Sequence, residues 1–378
     1  MYNTDPRTVV TLDAGGTNFV FGAMKGCEFV TEPLTMPSRA HDLDLCLETM
    51  VEGFQTIINR LEERPVAISF AFPGPADYAN GIVGGFLPNF PSFRDGVALG
   101  PFLSRKFGLP VFINNDGDLF AFGEATAGVL PEINAKVAVA GGDRQYRNLL
   151  GYTFGTGLGI GSVVNGALNL GNNSCVETFC LPFKRDHGNM VEDFAAIRAV
   201  TRVYGELTGN PSHGLTPRDI CDIADGKAGA ANGVAPSETE VEAAREAFRR
   251  FGEAAGDAMA TAVTLTDSLI VLGGGLTGAA RHILPALLKE LRSSLNTLEG
   301  AEVGRVQMKV FNLDDPAEFD MFVKGDARPL KVYGSEETVV YDPMKRTGVC
   351  LSRLGASRAI SIGAYAYALS RLDAVSMK

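Results

Sequence analysis

The stretch TLDAGGTNFVFGAM, Thr11 to Met24, is strand-forming sequence that breaks at Gly15-Gly16, with a lone acid, Asp13, at the break. The pattern returns from Leu149, where LLGYTF runs into GTGLG and Ile160 to Val164 resumes the strand. A unit of strand, glycine turn and strand that recurs so far along the chain predicts an internal duplication. A chain of 378 residues has room for it as two domains, each with its own core.

The segments in between alternate. VAISFAF, Val66 to Phe72, reads as a buried strand ended by Pro73-Gly74-Pro75. Leu43, Leu47, Met50, Val51, Phe54, Ile57, Ile58 and Leu61 recur at helical spacing and predict an amphipathic helix over Leu43 to Leu61. Val111 to Ile113 predicts a short strand, after which an Asn or Asp among Asn114 to Asp118 caps a helix over Leu119 to Thr126. DGKAGAANGVAP, Asp225 to Pro236, predicts a loop. Ser237 and Glu240 then form a capping box for a long helix through Met259, and Ser268 to Leu272 predicts a buried strand ending at Gly273-Gly274-Gly275. Alternating strands and helices place the chain in the α/β class.

Composition narrows the function classes. Hydrophobic residues are 46% and charged residues 21% of the chain, which is the balance of a globular protein with a packed core. The formal net charge of -10 opposes non-specific attraction to nucleic acid or anionic lipid, so neither is an expected partner. No apolar run reaches the roughly 18 residues of a membrane span, and MYNTDPRTVV lacks the pattern of a secretory signal; the expectation is a cytoplasmic protein. Six scattered cysteines with no CxxC pair fit free thiols. Cys175, Cys180 and His187 lie close enough in sequence to be weighed as metal ligands, against an ordinary reading as loop and core residues.

The glycine turns carry the chemistry. Gly15-Gly16 supplies positive φ and removes Cβ atoms, so backbone N–H groups can converge on an anion. Asp13 repels a bare phosphate but becomes useful when Mg²⁺ lies between them, because Mg²⁺ takes hard oxygen ligands and keeps much of its water. GxxxxGK[ST] does not occur, and Gly155, Gly157, Gly159 and Gly161 miss the GxGxxG spacing, which excludes both common nucleotide motifs. A plain hairpin turn remains the alternative for either turn alone. VLGGGLTG, Val271 to Gly278, adds a third glycine turn at a strand end where an adenosine fits.

With the three turns in this order the chain resembles the ROK family of sugar kinases and repressors, within the actin-like ATPase superfamily. DAGGTN is similar to the family's first phosphate motif, INNDGDLFAFGEA to its NDAN…GE segment, FGTGLGIGSVVNGAL to its second phosphate motif, and LGASRAISIGAYAYAL to its closing helix. The resemblance implies two RNase H-like domains around a central cleft, over 1-120 with the terminal helix 358-374 and over 121-357 with an insertion near 312-350. It implies ATP and Mg²⁺ as cofactors, a small-molecule sugar substrate and a homodimer. Asp13, Gly15, Gly16, Thr17, Asn18, Gly155, Thr156 and Gly157 would surround the phosphates and Mg²⁺, and Gly274 and Gly275 the nucleoside. Asn115 and Gly74 would contact the sugar, and Asp116 would accept the proton of its hydroxyl. A carboxylate is a weak base, yet in a loose phosphoryl-transfer transition state the proton moves late and orientation matters most.

Two departures stand out. Where the family carries GExGH and then CxCGxxGCxE, this chain reads LNLGNNSCVETFCLPFKRDHGNMVEDFAA, so no structural zinc is expected. Glu177 and Glu192 stand in for the family's two glutamates as sugar contacts, and His187 reads as a surface-loop residue. From Asn312 to Arg353 the acidic clusters and KVYGSEETVVYD predict an added hairpin. The alternative function is a sugar-sensing regulator; its DNA-binding form would need a helix-turn-helix ahead of Val9, where the sequence has no room for one. A kinase-like fold with degraded sugar contacts is a third reading, resting on Asn172 to Glu192.

Overall fold

The computed structural model describes residues 2–227 and 235–376, which form two compact units. The middle of the glycine and alanine loop expected over Asp225 to Pro236 lies outside the described residues. Each unit is built on its own sheet.

The first unit comprises Met1–Pro131, Gly161–Val176 and Ser352–Lys378. Its strands are β1 (Val9–Ala14), β2 (Asn18–Lys25), β3 (Glu28–Phe29), β4 (Leu34–Pro37), β5 (Ala67–Ala71) and β6 (Val111–Asn114). The sheet order is β3-β2-β1-β5-β6, with β4 also paired to β2. β1 runs antiparallel to β2, Leu12 opposite Phe21, and parallel to β5, Leu12 opposite Phe70. Strand alternation sends Val10, Leu12, Phe19 and Phe21 to one face, where α1 (Leu43–Asn59) buries Met50, Phe54 and Ile57. Asp42 caps α1 by accepting a hydrogen bond from the Leu45 N–H. Aromatic rings fill this core, with Phe21 edge-on to Phe54 at 5.1 Å.

On the same unit, α2 (Asp116–Ala127) packs along the C-terminal helix Ala356–Ser376 at backbone distance. A Cβ on Gly123 would stand 1.9 Å from the Ala359 carbonyl oxygen, and one on Gly363 would stand 1.8 Å from that of Leu119. Fully buried Glu124 ties the two helices at their ends: it accepts from the Val129 N–H at 2.9 Å, the Leu354 N–H at 3.2 Å and the Ser352 hydroxyl. Glu124→Ala leaves the buried Val129 N–H and the two half-buried donors unpaired and should cost about 3 kcal/mol in urea unfolding. A loss under about 0.5 kcal/mol, the scale of surface substitutions, would remove this anchoring role.

The second unit comprises Glu132–Ile160 and Glu177–Leu351. Its sheet runs β8-β7-β10-β12-β11, formed by β7 (Leu149–Phe154), β8 (Leu158–Val164), β10 (Leu269–Gly273), β11 (Lys309–Asn312) and β12 (Arg346–Leu351). The chain leaves this unit within β8, between Ile160 and Gly161, and there β8 pairs with β9 (Ala167–Leu168). β7 lies between its hairpin partner β8 and the parallel strand β10, as β1 lies between β2 and β5, so the duplication expected from the two glycine turns is present in the strand order. Around this sheet pack α3 (Ile197–Thr208), the long α4 (Glu238–Thr266) with the expected Ser237–Glu240 capping box, and α5 (Ala280–Leu291).

The added hairpin is also present, as Arg328–Lys331 paired with Thr338–Tyr341. Arg346–Leu351, expected within the insertion, is instead the buried strand β12, parallel to both β10 and β11. Its RTGVCL sequence carries no alternation because both faces are covered.

Candidate functional site

Each unit presents one half of the predicted set. In the first, β1 delivers Asp13 to the strand end and the chain turns through Gly15, Gly16 and Thr17 into Asn18. The Gly15 N–H donates to the Asn18 carbonyl at 3.1 Å, and the Ser38 N–H donates to the Thr17 carbonyl at 2.9 Å while its hydroxyl donates to that of Gly16. Neither glycine has the positive φ expected from the sequence; space is what the turn requires. A Cβ on Gly15 would meet the Asn18 carbonyl at 2.8 Å, and one on Gly16 the Asn89 side chain at 2.9 Å.

Asp13, Thr17 and Asn18 are exposed at this turn, and Asp13 also lines a cavity of about 800 Å³ with Thr11, Gly22, Glu32 and Arg358. In the wall of this cavity the Asp13 carboxyl is pushed above the usual carboxylate range, first by the desolvation that the surrounding protein imposes on it and second by the negative charge of Asp116. The turn and the start of α2 therefore share one electrostatic environment.

The start of α2 resolves which residue caps it. Asn115 does, its side chain accepting from the Asp118 N–H at 2.6 Å. Asp116 is left exposed at the first helical position, with one carboxylate oxygen accepting from the Gly117 N–H at 2.9 Å. Asn114, the last residue of β6, is fully buried, and its side-chain N–H₂ meets no acceptor. Sequence reasoning missed Asn114 because a polar residue beside a cap reads as part of the turn. Gly74 follows β5, and a Cβ there would lie 3.0 Å from the Tyr78 hydroxyl.

In the second unit, Gly155-Thr156-Gly157 turns β7 into β8, with the Gly155 N–H donating to the Gly157 carbonyl at 3.1 Å. Glu192 braces this turn. One carboxylate oxygen accepts from the Leu158 N–H at 2.9 Å and the other pairs with Arg198 at 2.9 Å, while Arg198 also donates to the Thr156 carbonyl. Glu192, expected among the sugar contacts, thus has both oxygens engaged beneath the Gly/Thr turn. Glu177 is half-buried in the segment that precedes the Pro182–Phe183 and Asp186–Met190 hairpin. That hairpin is anchored by Lys184, whose N–H donates to Asp257 and whose ammonium pairs with Glu253 and Glu290.

Gly274 has φ +90 and a Cβ there would stand 2.4 Å from the Phe154 carbonyl oxygen, so only glycine fits. Cβ atoms on Gly155, Gly275 or Gly278 would meet nothing within 4 Å. These glycines border open space and their backbone is accessible. Just after them Arg281 donates to the Gly278 carbonyl and pairs with Asp225; Arg281 and then Lys227 hold the Asp225 carboxyl well below its usual range. Cys175, Cys180 and His187 are exposed and do not bring their ligand atoms within reach of one ion. Among the described residues Cys221, Asp225 and His282 do, but Arg281 donates to both Cys221 and Asp225.

Both turns, in sheets of the same strand order, agree with a comparison against known families: the ROK family profile matches residues 9–316. The chain belongs to the ROK family. Among solved ROK structures it resembles a glucokinase from Parabacteroides distasonis ATCC 8503, at 51% identity over 98% of this chain and 99% of that one, with a TM-score of 0.87. Among sequence relatives it is 30% identical to a Thermotoga maritima glucokinase over 175 residues, a match that covers 44% of this chain and 47% of that one, about half its length. It is 28% identical over 260 residues to an N-acetyl-D-glucosamine kinase of Yersinia pseudotuberculosis, covering 64% and 74% of the two chains. The α/β architecture read from the sequence is thus that of the two-domain ROK proteins.

Proposed function

We propose that this ROK protein transfers the γ-phosphoryl group of ATP to a hydroxyl of a hexose or N-acetylhexosamine. The observation that carries the reading is Asp116: Asn115 caps the helix, so Asp116 stands exposed at its start, within the electrostatic reach of Asp13 at the phosphate turn. Relatives whose names are glucokinase and N-acetyl-D-glucosamine kinase support the substrate class, with glucose the first sugar to test.

In this reading Asp116 accepts a hydrogen bond from the sugar hydroxyl and aims its oxygen at the phosphorus, which is most of what a loose transition state needs from the protein. Asn115 and Gly74 border the sugar, and the orphaned N–H₂ of buried Asn114 offers a donor on the same strand end. Backbone N–H groups of Gly15 to Asn18 and of Gly155 to Gly157 hold phosphate oxygens, and Gly274 and Gly275 the nucleoside. Asp13 is an accessible hard-oxygen donor that fits Mg²⁺, directly or through water; the ion would supply charge neutralisation for the phosphates. Glu192 and Arg198 keep the second turn in shape, and Glu177 remains a candidate contact to the sugar. The finer reading is a cytoplasmic homodimer, and the net charge of -10 supports the lack of a nucleic-acid partner. Among the described residues no helix is long and apolar enough to cross a membrane.

The nucleotide half is tested at Gly155. Because a Cβ there meets no protein atom, Gly155→Val should leave thermal stability nearly unchanged while raising the KM for Mg-ATP about tenfold or more by obstructing the phosphates. An unchanged KM would take the phosphates away from this turn.

A further inference from the structure

The peptide units of the two glycine turns are trans, so each carbonyl and the N–H of the next residue point in opposite directions. Whatever holds a carbonyl behind the turn therefore aims the following N–H out of its front.

In the first turn the holder is Ser38, a buried residue just beyond the Asn18–Pro37 pair that ends the β2–β4 ladder. Its hydroxyl donates to the Gly16 carbonyl and its N–H to the Thr17 carbonyl at 2.9 Å. The Gly16–Thr17 peptide is thereby fixed with the Thr17 N–H on the side away from Ser38, where it meets no acceptor among the described residues. In the second turn the holders come from the start of α3. The Ile197 N–H donates to the Gly155 carbonyl at 2.9 Å, and the Arg198 guanidinium to the Thr156 carbonyl at 3.3 Å. Arg198 is itself fixed by Glu192 at 2.9 Å and Asp193 at 2.8 Å. The Thr156 and Gly157 N–H groups are turned away from these holders, and neither meets an acceptor among the described residues. By contrast, the Gly15, Gly155 and Leu158 N–H groups are already engaged by Asn18, Gly157 and Glu192.

We infer that Ser38 and Arg198 are positioning residues for the nucleotide phosphates: each holds the carbonyl of the second residue of its turn, so that the N–H in front, Thr17 in one turn and Gly157 in the other, faces a phosphate oxygen. Neither side chain touches a reacting atom in this role; both act through the turn. A serine after a strand and an arginine in the first turn of a helix thus make the same kind of bond at matching places in the two halves of the duplicated chain. A carbonyl turned to the front would set its negative end against the phosphate and remove a donor from the anion nest. The inference rests on the phosphate-holding role proposed above for these turns and does not depend on which sugar is the acceptor.

Titration calorimetry of the full chain with Mg-ATP and with adenosine tests it, because only the first ligand carries phosphate. Ser38→Ala removes the hydroxyl without changing any charge. Arg198→Lys keeps the charge, but an ammonium on a flexible stem does not hold the Thr156 carbonyl and both carboxylates as the planar fork does. Each variant should raise the Kd for Mg-ATP about tenfold, the scale of one hydrogen bond lost together with the orientation it enforced, and leave the Kd for adenosine within about twofold. A merely structural role would weaken both ligands together, and that result would overturn the inference. An unchanged Kd for Mg-ATP would overturn it for the residue concerned. Wild-type protein that binds Mg-ATP no more tightly than adenosine would overturn the phosphate role of the turns as well.

Discussion

Asp116→Asn should lower kcat about 100-fold or more while the protein stays folded and still binds Mg-ATP, since removing a positioned acid or base costs on that scale. The fold should survive because the helix does not depend on Asp116. Asn115 supplies the cap to the Asp118 N–H, and the asparagine that replaces Asp116 keeps an oxygen for the Gly117 N–H. The variant also carries a second signature. The negative charge of Asp116 is one of the two causes that push the Asp13 carboxyl up, so removing it lets Asp13 ionise at lower pH. Mg-ATP binding, where it depends on ionised Asp13, should then persist to lower pH in Asp116→Asn than in the wild type. A variant with full turnover would remove Asp116 from the mechanism. A pH profile of binding unmoved from the wild type would separate Asp13 from the nucleotide.

Gly363→Val should abolish the folded first unit. The substituted Cβ would begin 1.8 Å from the Leu119 carbonyl oxygen, where real contacts stay beyond about 3 Å, so the C-terminal helix must move off α2 by more than an ångström. That helix also packs on β1 and β5, so the shift opens the sheet that carries Asp13. Overpacking of flexible side chains costs 1 to 3 kcal/mol, but two rigid backbones offer no rotamer escape, and a loss of about 4 kcal/mol or more is expected. Gly278→Ala is the control, because its Cβ would meet nothing within 4 Å. Soluble, cooperatively unfolding Gly363→Val protein with near wild-type stability would contradict the close packing of these helices.

What the sequence revealed and what it hid follow from the range of the contacts involved. β1, β2, β5 and α1 were legible because periodicity and glycine turns are local signals, and the Ser237–Glu240 capping box was legible for the same reason. The turn at Gly15-Gly16 was placed correctly but for an incomplete reason. Its glycines avoid Asn18 and Asn89, and the second partner lies far along the chain where no local rule can see it. Glu124 looked like a motif letter, yet its partners Ser352 and Leu354 are brought to it only by the return of the C-terminal helix. β12 was hidden because a strand buried on both faces has no alternation, and the bracing of the second glycine turn by Glu192 was hidden because Leu158 and Arg198 reach it only in three dimensions. Asp116 was the reverse case: the sequence left open whether it capped the helix, and the Asn115 hydrogen bond decides that it does not.

The measurement that tests phosphoryl transfer to a sugar most directly is ADP release by purified protein with Mg-ATP, with and without glucose, mannose, fructose, allose, N-acetylglucosamine and N-acetylmannosamine. A strong response to one of these sugars, absent when it is withheld and lost in Asp116→Asn, is the predicted result. ADP release that no sugar changes, from protein that still binds Mg-ATP, would contradict it.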